Sequence, residues 1–353
     1  MPAKAIAWPA ALLTLFALSC GGTAGTSAPT SPVPKGETVE QRLSRLYDAA
    51  KPEGKLAFYS SLNTEDAKKI LPKFEARFAG VKVDHTRASG EKLVQRVVTE
   101  KKAGQDLLDV MESNTFEVKF LIDQGYSQKY KVASWDDFRQ ETRDPAEGWV
   151  ADRLNNDLPG INTTKIQPGA IKSWRDLCDS KYQGHIAVEQ DDVVIYSSLK
   201  KLLGEQEAQR VIKCVAANKP TLRSGHTEMA NLLAAGEFWV TLSSNGHRLA
   251  QLKYEDKAPV DWVRTDPVIT DVQIMALADK APHPNAARLF MEWLTSTEGQ
   301  QAIADTGRVP ASTKVKPKYP DLLTPGKPFY IGVDMAAAFN RDAEFWRTTF
   351  GIK

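Results

Sequence analysis

The sequence predicts an α/β protein of two lobes, each a mostly parallel sheet flanked by helices. Strand-like apolar runs alternate with amphipathic helical runs through residues 55–125, and this order implies a mostly parallel sheet covered on both faces. The roughly 310 residues beyond the N-terminal segment are long for one domain and typical of two. Around Trp149–Thr164 the pattern changes to extended segments broken by Pro159-Gly160, which indicates a crossing into a second lobe.

The N-terminal segment predicts export. Lys4 precedes the apolar run Ala5–Leu18, which is too short for a membrane span and ends just before Cys20. A cysteine at this point resembles a bacterial lipoprotein signal, which implies a signal peptide over residues 1–20 and acylation of Cys20 as a membrane anchor. Plain secretion with an unmodified cysteine is the alternative. Residues 21–45 are predicted to be a flexible linker, because Thr23–Lys35 is rich in Ser, Thr and Pro without hydrophobic periodicity.

Charge and cysteine content narrow the function classes. The formal net charge is +2, from 46 basic and 44 acidic residues, which argues against a nucleic-acid partner. The two cysteines beyond Cys20 are Cys178 and Cys214. In an exported protein they either pair as a disulfide or remain buried free thiols, and spacing alone does not decide between these.

The elements of the first lobe place polar residues at strand ends. The predicted strands are Lys55–Ser60, Val81–Asp84 and Leu107–Met111, and the predicted helices are Glu65–Phe78, the helix after Ser89, and Phe116–Gln124. Ligands of open parallel sheets bind at the carboxyl ends of the strands. Here those ends carry Ser60-Ser61, Arg87–Gly90 and Ser113–Thr115, the last including Asn114.

Two loops are predicted to favour an anion. Thr86–Gly90 leads into a helix whose N-cap is Ser89, so free backbone N–H groups and the guanidinium of Arg87 face the same space. In the second lobe, Leu222–Thr227 repeats this arrangement with Arg223 and Ser224 before a helix. The two loops either face each other across a cleft or are two unrelated helix caps.

Two more strand ends of the second lobe are polar. His185–Glu189 is followed by Gln190, Asp191 and Asp192, and Phe238–Leu242 is followed by Ser243–His247. Asp191 and Asp192 suit an amine or a cation, or cap the following helix.

The segment Lys280–Pro310 resembles the C-terminal signature of extracellular solute-binding proteins of bacterial ABC importers, in particular the ferric-iron-type branch (family 1). Its matching residues are Ala281–Ala287, Leu289-Phe290, Trp293-Leu294, Ser296, Glu298–Gln300 and Gly307–Pro310. The resemblance implies a type II periplasmic-binding-protein fold with two crossing strands as hinge. It places lobe I at residues 46–155 and 266–312 and lobe II at 156–265, with residues 313–353 packed on a lobe.

The resemblance also implies a site, but not its solute. Ferric-binding members carry adjacent tyrosines where this chain has Ser243–His247, so an anionic organic solute of the carboxylate or phosphonate type is predicted. Ferric ion is the alternative, followed by a thiamine-like, polyamine or sugar ligand. The candidate ligand-binding residues are Ser60, Ser61, Arg87, Ser89, Gly90, Asn114, Asp191, Tyr196, Arg223, Ser224, Thr227 and Asn245.

Other classes are disfavoured. The sequence contains no phosphate-binding loop, nucleophile elbow or zinc-protease motif, and its five histidines lack metal-ligand spacing. We therefore expect no catalytic residue, no resident metal and no cofactor. The expected partners are a small solute and a membrane permease, and the expected state is a monomer. An exported hydrolase or a sensor lobe is the less favoured alternative.

Overall fold

The computed structural model describes residues 36–323 and 326–352. The predicted signal peptide, Cys20 and the linker up to residue 35 lie outside these residues. Within them, no helix is long and apolar enough to cross a membrane.

Strands and helices alternate along the chain, as the sequence predicts. The strands are β1 (Lys55–Ser60), β2 (Lys82–Arg87), β3 (Val110–Asn114), β4 (Ser127–Gln128), β5 (Val150–Leu158), β6 (Gly160–Asn162), β7 (Ile186–Glu189), β8 (Thr221–Arg223), β9 (Val240–Thr241), β10 (Ser244–Asn245), β11 (Val260–Trp262), β12 (Val268–Ala278), β13 (Val309–Pro310) and β14 (Pro328–Tyr330). The α-helices are α1 (Val39–Ala50), α2 (Thr64–Arg77), α3 (Gly90–Lys102), α4 (Thr115–Asp123), α5 (Val193–Leu203), α6 (Glu205–Ala217), α7 (His226–Ala235), α8 (Gly246–Tyr254), α9 (Pro284–Thr295), α10 (Thr297–Asp305) and α11 (Phe339–Phe350). Short 3₁₀ helices cover Trp135–Asp137, Gln140–Thr142, Trp174–Cys178, Ser180–Tyr182, Pro320–Leu323 and Val333–Ala338.

These strands form two sheets, one in each lobe. The first has the order β10-β5-β12-β3-β1-β2, with β13 added on β5 and both β4 and β14 on β12. The second has the order β11-β6-β9-β7-β8. Strands β1, β2 and β3 are parallel, as are β7, β8 and β9. By contrast, β5, β6 and β11 run antiparallel to their neighbours, and β12 runs antiparallel to β3, β4 and β5 but parallel to β14. The predicted two-lobed α/β fold is confirmed.

Two pairs of strands carry the chain between the sheets. β5 continues into β6 through Pro159, and β11 returns to β12 through residues 263–267. The sequence predicts that residues 156–265 form lobe II, and the structure differs at two places. Residues 156–158 belong to β5, and β10 pairs with Asp157 and Leu158, so both segments are part of the first sheet. Residues 150–158 and 268–278 are therefore the strands of the first sheet that lead directly into the two connections to the second sheet.

Helix α1 begins inside the segment that the sequence predicts to be a flexible linker. The side chain of Thr38 accepts a hydrogen bond from the Gln41 N–H, and the Gln41 side chain accepts one from Thr38, which completes a capping box at the start of α1. Leu43 and Leu46 are buried in the core of the first lobe. Residues 39–45, predicted as linker, are thus helical because their apolar side chains have a core to pack on.

The C-terminal residues contact both lobes, whereas the sequence predicts packing on one. β14 pairs with β12 of the first sheet, and α11 packs on α5 and α6 of the second lobe. The ring centroid of Phe339, at the start of α11, lies 5.2 Å from that of Phe116, near the start of α4. The Trp346 indole N–H donates to the Gln190 carbonyl oxygen at 2.8 Å. We call residues 326–352 the C-terminal strap.

Cys178 and Cys214 form a disulfide in the second lobe. Their Cα atoms are 5.1 Å apart, and the bond joins the end of a 3₁₀ helix to α6. Of the two states that the sequence leaves open, the structure has the paired one.

Candidate functional site

The candidate site begins with one polar face of the first sheet. Residues directly opposite one another in paired strands share a face, and the register aligns Asp271 with Asn155, and Gln273 with both Arg153 and Asn114. The same face continues through Glu112, which lies opposite Ser60 in β1. A row of polar and charged side chains therefore crosses the carboxyl ends of β1 and β3 and the middle of the two crossing strands.

Arg153 is held at the centre of this face by two carboxylates. Its Nη1 lies 2.6 Å from Asp152 Oδ2 and its Nη2 lies 3.0 Å from Glu112 Oε1. Arg153 is 1% exposed and Glu112 is fully buried. Burial raises the pKa of the Glu112 carboxyl to about 7, although Arg153 acts in the opposite direction. Glu112 Oε2 has no hydrogen-bond partner among the described residues, so the ion pairs leave this oxygen free.

Three further carboxylates meet where the crossing strands pass the second lobe. Asp157 of β5 is 4% exposed, Asp271 of β12 is half-buried, and Asp192, just before α5, is 7% exposed. Burial raises the pKa of the Asp157 carboxyl well above its ordinary value, and the neighbouring charges of Asp192 and Asp271 raise it further. The same two causes, burial and then Asp192, raise the pKa of Asp271 to about 7. We call Asp157, Asp192 and Asp271 the acidic triad.

In the second lobe, a carboxylate of the protein binds the loop that the sequence predicts to bind an anion. Glu189, the last residue of β7, accepts hydrogen bonds from the backbone N–H of Gly225 at 3.1 Å and from that of Asp191 at 2.8 Å. Gly225 is the N-cap residue of α7, so the Glu189 carboxylate lies at the positive end of that helix. This loop therefore has an internal anion.

The predicted anion-binding loop of the first lobe, Thr86–Gly90, also faces a glutamate side chain. A Cβ atom placed on Gly90, the first residue of α3, would lie 2.7 Å from the Glu117 Cδ and 2.6 Å from the Ser113 Oγ. The Glu117 carboxyl thus packs directly against the start of this helix. Burial raises its pKa to about 8, with smaller contributions from Asp271 and other carboxylates. Both helix N-termini that were predicted to attract an anionic solute already face a glutamate side chain.

Some predicted site residues lie together at the polar face. Ser60 is buried, and its Oγ lies 2.7 Å from His85 Nε2. Ser61 Oγ donates to Gln273 Oε1 at 3.3 Å, and Asn245 lies opposite Asp157 in β10. The Asn114 side chain accepts from the N–H groups of Phe116 and Glu117, so it caps α4 beside the site.

The other predicted residues are placed differently. Arg87 is exposed at the end of β2, and Arg223 is half-buried at the end of β8, where its Nη1 donates to the Leu222 carbonyl oxygen at 3.4 Å. Tyr196 is 1% exposed, and its ring stacks on Phe345 of the C-terminal strap at 4.4 Å, which makes it a packing residue of the second core. Gly90 lies at the helix start described above. The remaining candidates are all exposed on the surface, namely Ser89, Asp191, Ser224 and Thr227.

The sequence interpretation missed the charged residues of the polar face. Glu112, Arg153, Asp157 and Asp271 each lie inside or directly beside an apolar strand run, where a charge is costly unless a partner is present. A charge in a predicted central strand was the signal that could have found them.

The chain belongs to the family of bacterial extracellular solute-binding proteins, whose pattern matches residues 106–336. This confirms the resemblance seen in the sequence. The comparison with curated proteins gives no match.

Solved structures of low sequence identity share the fold. Iron-bound HitA from Pseudomonas aeruginosa is 17% identical with a TM-score of 0.74, and the match covers 84% of this chain and 99% of HitA. The Trichodesmium protein IdiA (FutA), in complex with iron and citrate, is 21% identical with a TM-score of 0.67, over 85% of this chain and all of that protein (100%). AfuA from Actinobacillus pleuropneumoniae, with fructose-6-phosphate bound, is 19% identical with a TM-score of 0.73, over 85% of this chain and 100% of AfuA. At these identities the likeness concerns the fold.

Proposed function

We propose that this protein is the solute-binding component of an ABC importer. It captures a small solute between its two sheets and delivers it to a membrane permease, whose ATPase supplies the energy. It binds its solute without transforming it. Membership of the extracellular solute-binding family and the two-lobed fold support this proposal.

One observation carries the proposal, namely that charged residues of both lobes meet at the crossing strands. Asp157 and Asp271 lie on those strands, and Asp192 belongs to the second lobe. A solute drives closure only through contacts that are stronger in the closed state, so a site made of residues from both lobes couples binding to closure.

Loading should therefore change the shape of the protein. Native mass spectrometry of the protein as purified from a bacterial host should reveal a retained solute. Small-angle scattering, recorded before and after removal of that solute by dialysis, should show a smaller radius of gyration in the loaded state. A radius that is the same with and without solute would contradict capture by closure.

Export and anchoring are further parts of the proposal. We propose that residues 1–20 are removed and that Cys20 carries the lipid that holds a monomer at the membrane. Labelling with a radioactive fatty acid should mark the wild-type protein, and Cys20→Ser should abolish the label. An equally labelled Cys20→Ser protein would place the lipid elsewhere.

For the solute, the predicted alternatives were an organic anion and ferric ion. The iron of HitA and the iron and citrate of IdiA (FutA) are the observations in favour of ferric ion. In this chain the hydroxyl of Tyr59 donates to Glu100 at 3.0 Å and Tyr196 packs in a core, so neither of these tyrosines is free to act as a phenolate ligand. For an anion, the support consists of Arg87 and Arg223, while both helix starts face glutamates. The carboxylates of the acidic triad favour a cation.

A further inference from the structure

We infer that the interlobe site recognises an organic cation through a primary ammonium group held by Asp157, Asp192 and Asp271. This inference rests on the proposed function, since it names the solute class of the same site.

The register of the crossing strands places two of these carboxylates on one face of the first sheet. Asp157 lies opposite Ile269 in the register of β5 and β12, and Asp271 lies two residues further along β12 on the same face. Diagonal neighbours of this kind have Cβ atoms about 7 Å apart, which is suited to carboxylates that share one small cation. Asp192 approaches from the second lobe, so an occupant of the acidic triad contacts both lobes.

The triad has few hydrogen-bond donors of its own, namely the Gln273 amide at Asp271 and the nearby Ser243 hydroxyl, which acts to lower the pKa of Asp192 against the effect of burial. The Asp157 carboxylate, 4% exposed, accepts no hydrogen bond from the described residues. The Oδ2 atom of Asp192 is buried and has no hydrogen-bond partner within residues 36–323 and 326–352. Asp271 accepts from the Gln273 Nε2 at 2.7 Å. Buried carboxylates without donors are costly, and a bound donor would remove that cost.

The nearby cations do not neutralise the triad. Arg153 is bound to Asp152 and Glu112, and Arg308 donates to Asp66 at 2.7 Å and to Asn155 at 2.9 Å. His226 Nε2 lies 3.9 Å from Asp192 Oδ2, and among the described residues no lysine or arginine forms an ion pair with the triad. Burial, followed by the charges of Arg308 and Arg153 and smaller effects of other cationic groups, lowers the pKa of His247 well below its ordinary value, so this ring is neutral at neutral pH. The site is thus short of positive charge.

The chemistry of the triad fits an ammonium group. A primary ammonium carries three N–H donors and no acceptor, so it can donate one charge-assisted hydrogen bond to each of three carboxylates. A metal ion fits less well, because it needs carboxylate oxygens at about 2.0–2.5 Å, closer than the roughly 2.8 Å of a hydrogen bond from an ammonium, and residues 36–323 and 326–352 contain no group of three or more His, Cys, Asp or Glu side chains placed that closely. An anion is disfavoured by the carboxylates and by Glu189 and Glu117 at the helix starts.

Isothermal titration calorimetry at pH 8 on the full chain, freed of retained solute, tests this inference. The probes are butane-1,4-diamine, n-butylamine, tetramethylammonium, succinate and ferric citrate. At least one of the two primary amines should bind. Tetramethylammonium has the same charge but no N–H donor, so its affinity should be at least tenfold lower, and succinate should not bind.

Variants separate a binding role from a structural one. Asp157→Asn, Asp192→Asn and Asp271→Asn should each lower the amine affinity at least tenfold. The exposed Asp48 on α1 provides the matched control, and Asp48→Asn should leave the affinity unchanged. Because an amide removes the charge that the carboxyl acquires at high pH, Asp157→Asn and Asp271→Asn should also raise the melting temperature of the unliganded protein at pH 8.5, which shows that lost binding is not lost folding.

Two results would overturn the inference: binding of succinate or ferric citrate without binding of an amine, or an amine affinity that all three variants leave intact. Either result is compatible with a solute-binding protein if the bound probe compacts the chain in small-angle scattering. Failure of every solute, including any retained one, to bind and compact the chain would instead contradict the proposed function.

Discussion

The carboxylate of Glu189 accepts a hydrogen bond from the backbone N–H of Gly225 at 3.1 Å, and so a residue of β7 occupies the N-terminal end of α7. The sequence of this loop resembles that of an anion-binding site. In the structure, the loop instead connects a strand and a helix of the same lobe through Glu189.

Removing this internal anion should destabilise the protein and open the loop. Glu189→Ala leaves the N–H groups of Gly225 and Asp191 without their acceptor, so we expect a loss of about 1–3 kcal/mol in the free energy of unfolding, measured with urea. The variant should also gain weak affinity for inorganic phosphate, which calorimetry would detect. Glu228→Ala, an exposed residue in the first turn of α7, is the control and should change neither quantity. Unchanged stability of Glu189→Ala would mean that water replaces the carboxylate without cost.

Gly90 should be intolerant of a side chain. In Gly90→Ala the new methyl group would collide with Glu117 and with Ser113, so we expect a loss of about 1–3 kcal/mol in urea unfolding. Combining it with Glu117→Ala should recover part of this loss. The neighbouring Ser89 is exposed and makes no capping hydrogen bond, so Ser89→Ala should stay within about 0.5 kcal/mol of wild type. A loss as large in Ser89→Ala would assign the effect to the helix start as a whole.

The unliganded protein should lose stability as the pH rises. The pKa values of Asp271 and Glu112 are raised to about 7 and that of Glu117 to about 8, so the folded state holds protons that the unfolded chain releases near its ordinary carboxyl pKa, about 4. This stability is fully present below about pH 4 and is lost as the pH passes through 7 to 8. The charged or titratable groups that face this region include the carboxyls of Glu91, Asp152, Asp157, Glu189 and Asp192. They also include Arg153 on β5, His226 on α7, His247 on α8 and Arg308 before β13.

Calorimetric melting at pH 5.5 and pH 8.5 would measure this effect, and we expect a melting temperature lower by several degrees at the higher pH. Asp271→Asn should reduce the difference, whereas the exposed control Asp48→Asn should not. A melting temperature that rises between these pH values would contradict the assignment. An amine bound at the acidic triad should restore stability most strongly at pH 8.5, because it binds the charged carboxylates.

The disulfide should contribute to the stability of the second lobe. Cys178 and Cys214 are separated by 36 positions, and closing a loop of this length in the unfolded chain corresponds to about 3–4 kcal/mol. The double variant Cys178→Ser/Cys214→Ser should therefore unfold at lower urea concentration. A reducing agent should lower the stability of the wild type to that of the variant and leave the variant unchanged. Equal midpoints for all four samples would show that the bond is dispensable.

Local sequence patterns predicted the parallel units well. The predicted strand Lys55–Ser60 has the same bounds as β1, and the predicted helix Glu65–Phe78 differs from α2 by one residue at each end, because its apolar stripe and the N-cap Asn63 are local features. The third strand was less well predicted, because β3 covers Val110–Asn114 and not Leu107–Met111, so Ser113 and Asn114 lie inside the strand.

The acidic triad could not be predicted in this way. Asp157 and Asp271 are far apart in the chain and become neighbours only through the register of β5 with β12, which long-range pairing determines. The role of Glu189 likewise depends on the pairing of β7 with β8, which brings Glu189 opposite Arg223 and close to Gly225. Residue types at strand ends indicate that a site exists, whereas its charge depends on contacts between distant segments.

The C-terminal strap gives the two lobes a third connection beside the crossing strands. Its β14 is part of the first sheet, and its α11 is packed on the second lobe through Trp346 and through Asp342, which lies 2.5 Å from Lys200. When the lobes open, the segment between Tyr330 and Phe339 must become more extended, or Phe339 must move away from Phe116. The length of this short segment therefore limits how wide the entrance can become, and so the bulk of the molecules that can pass through it.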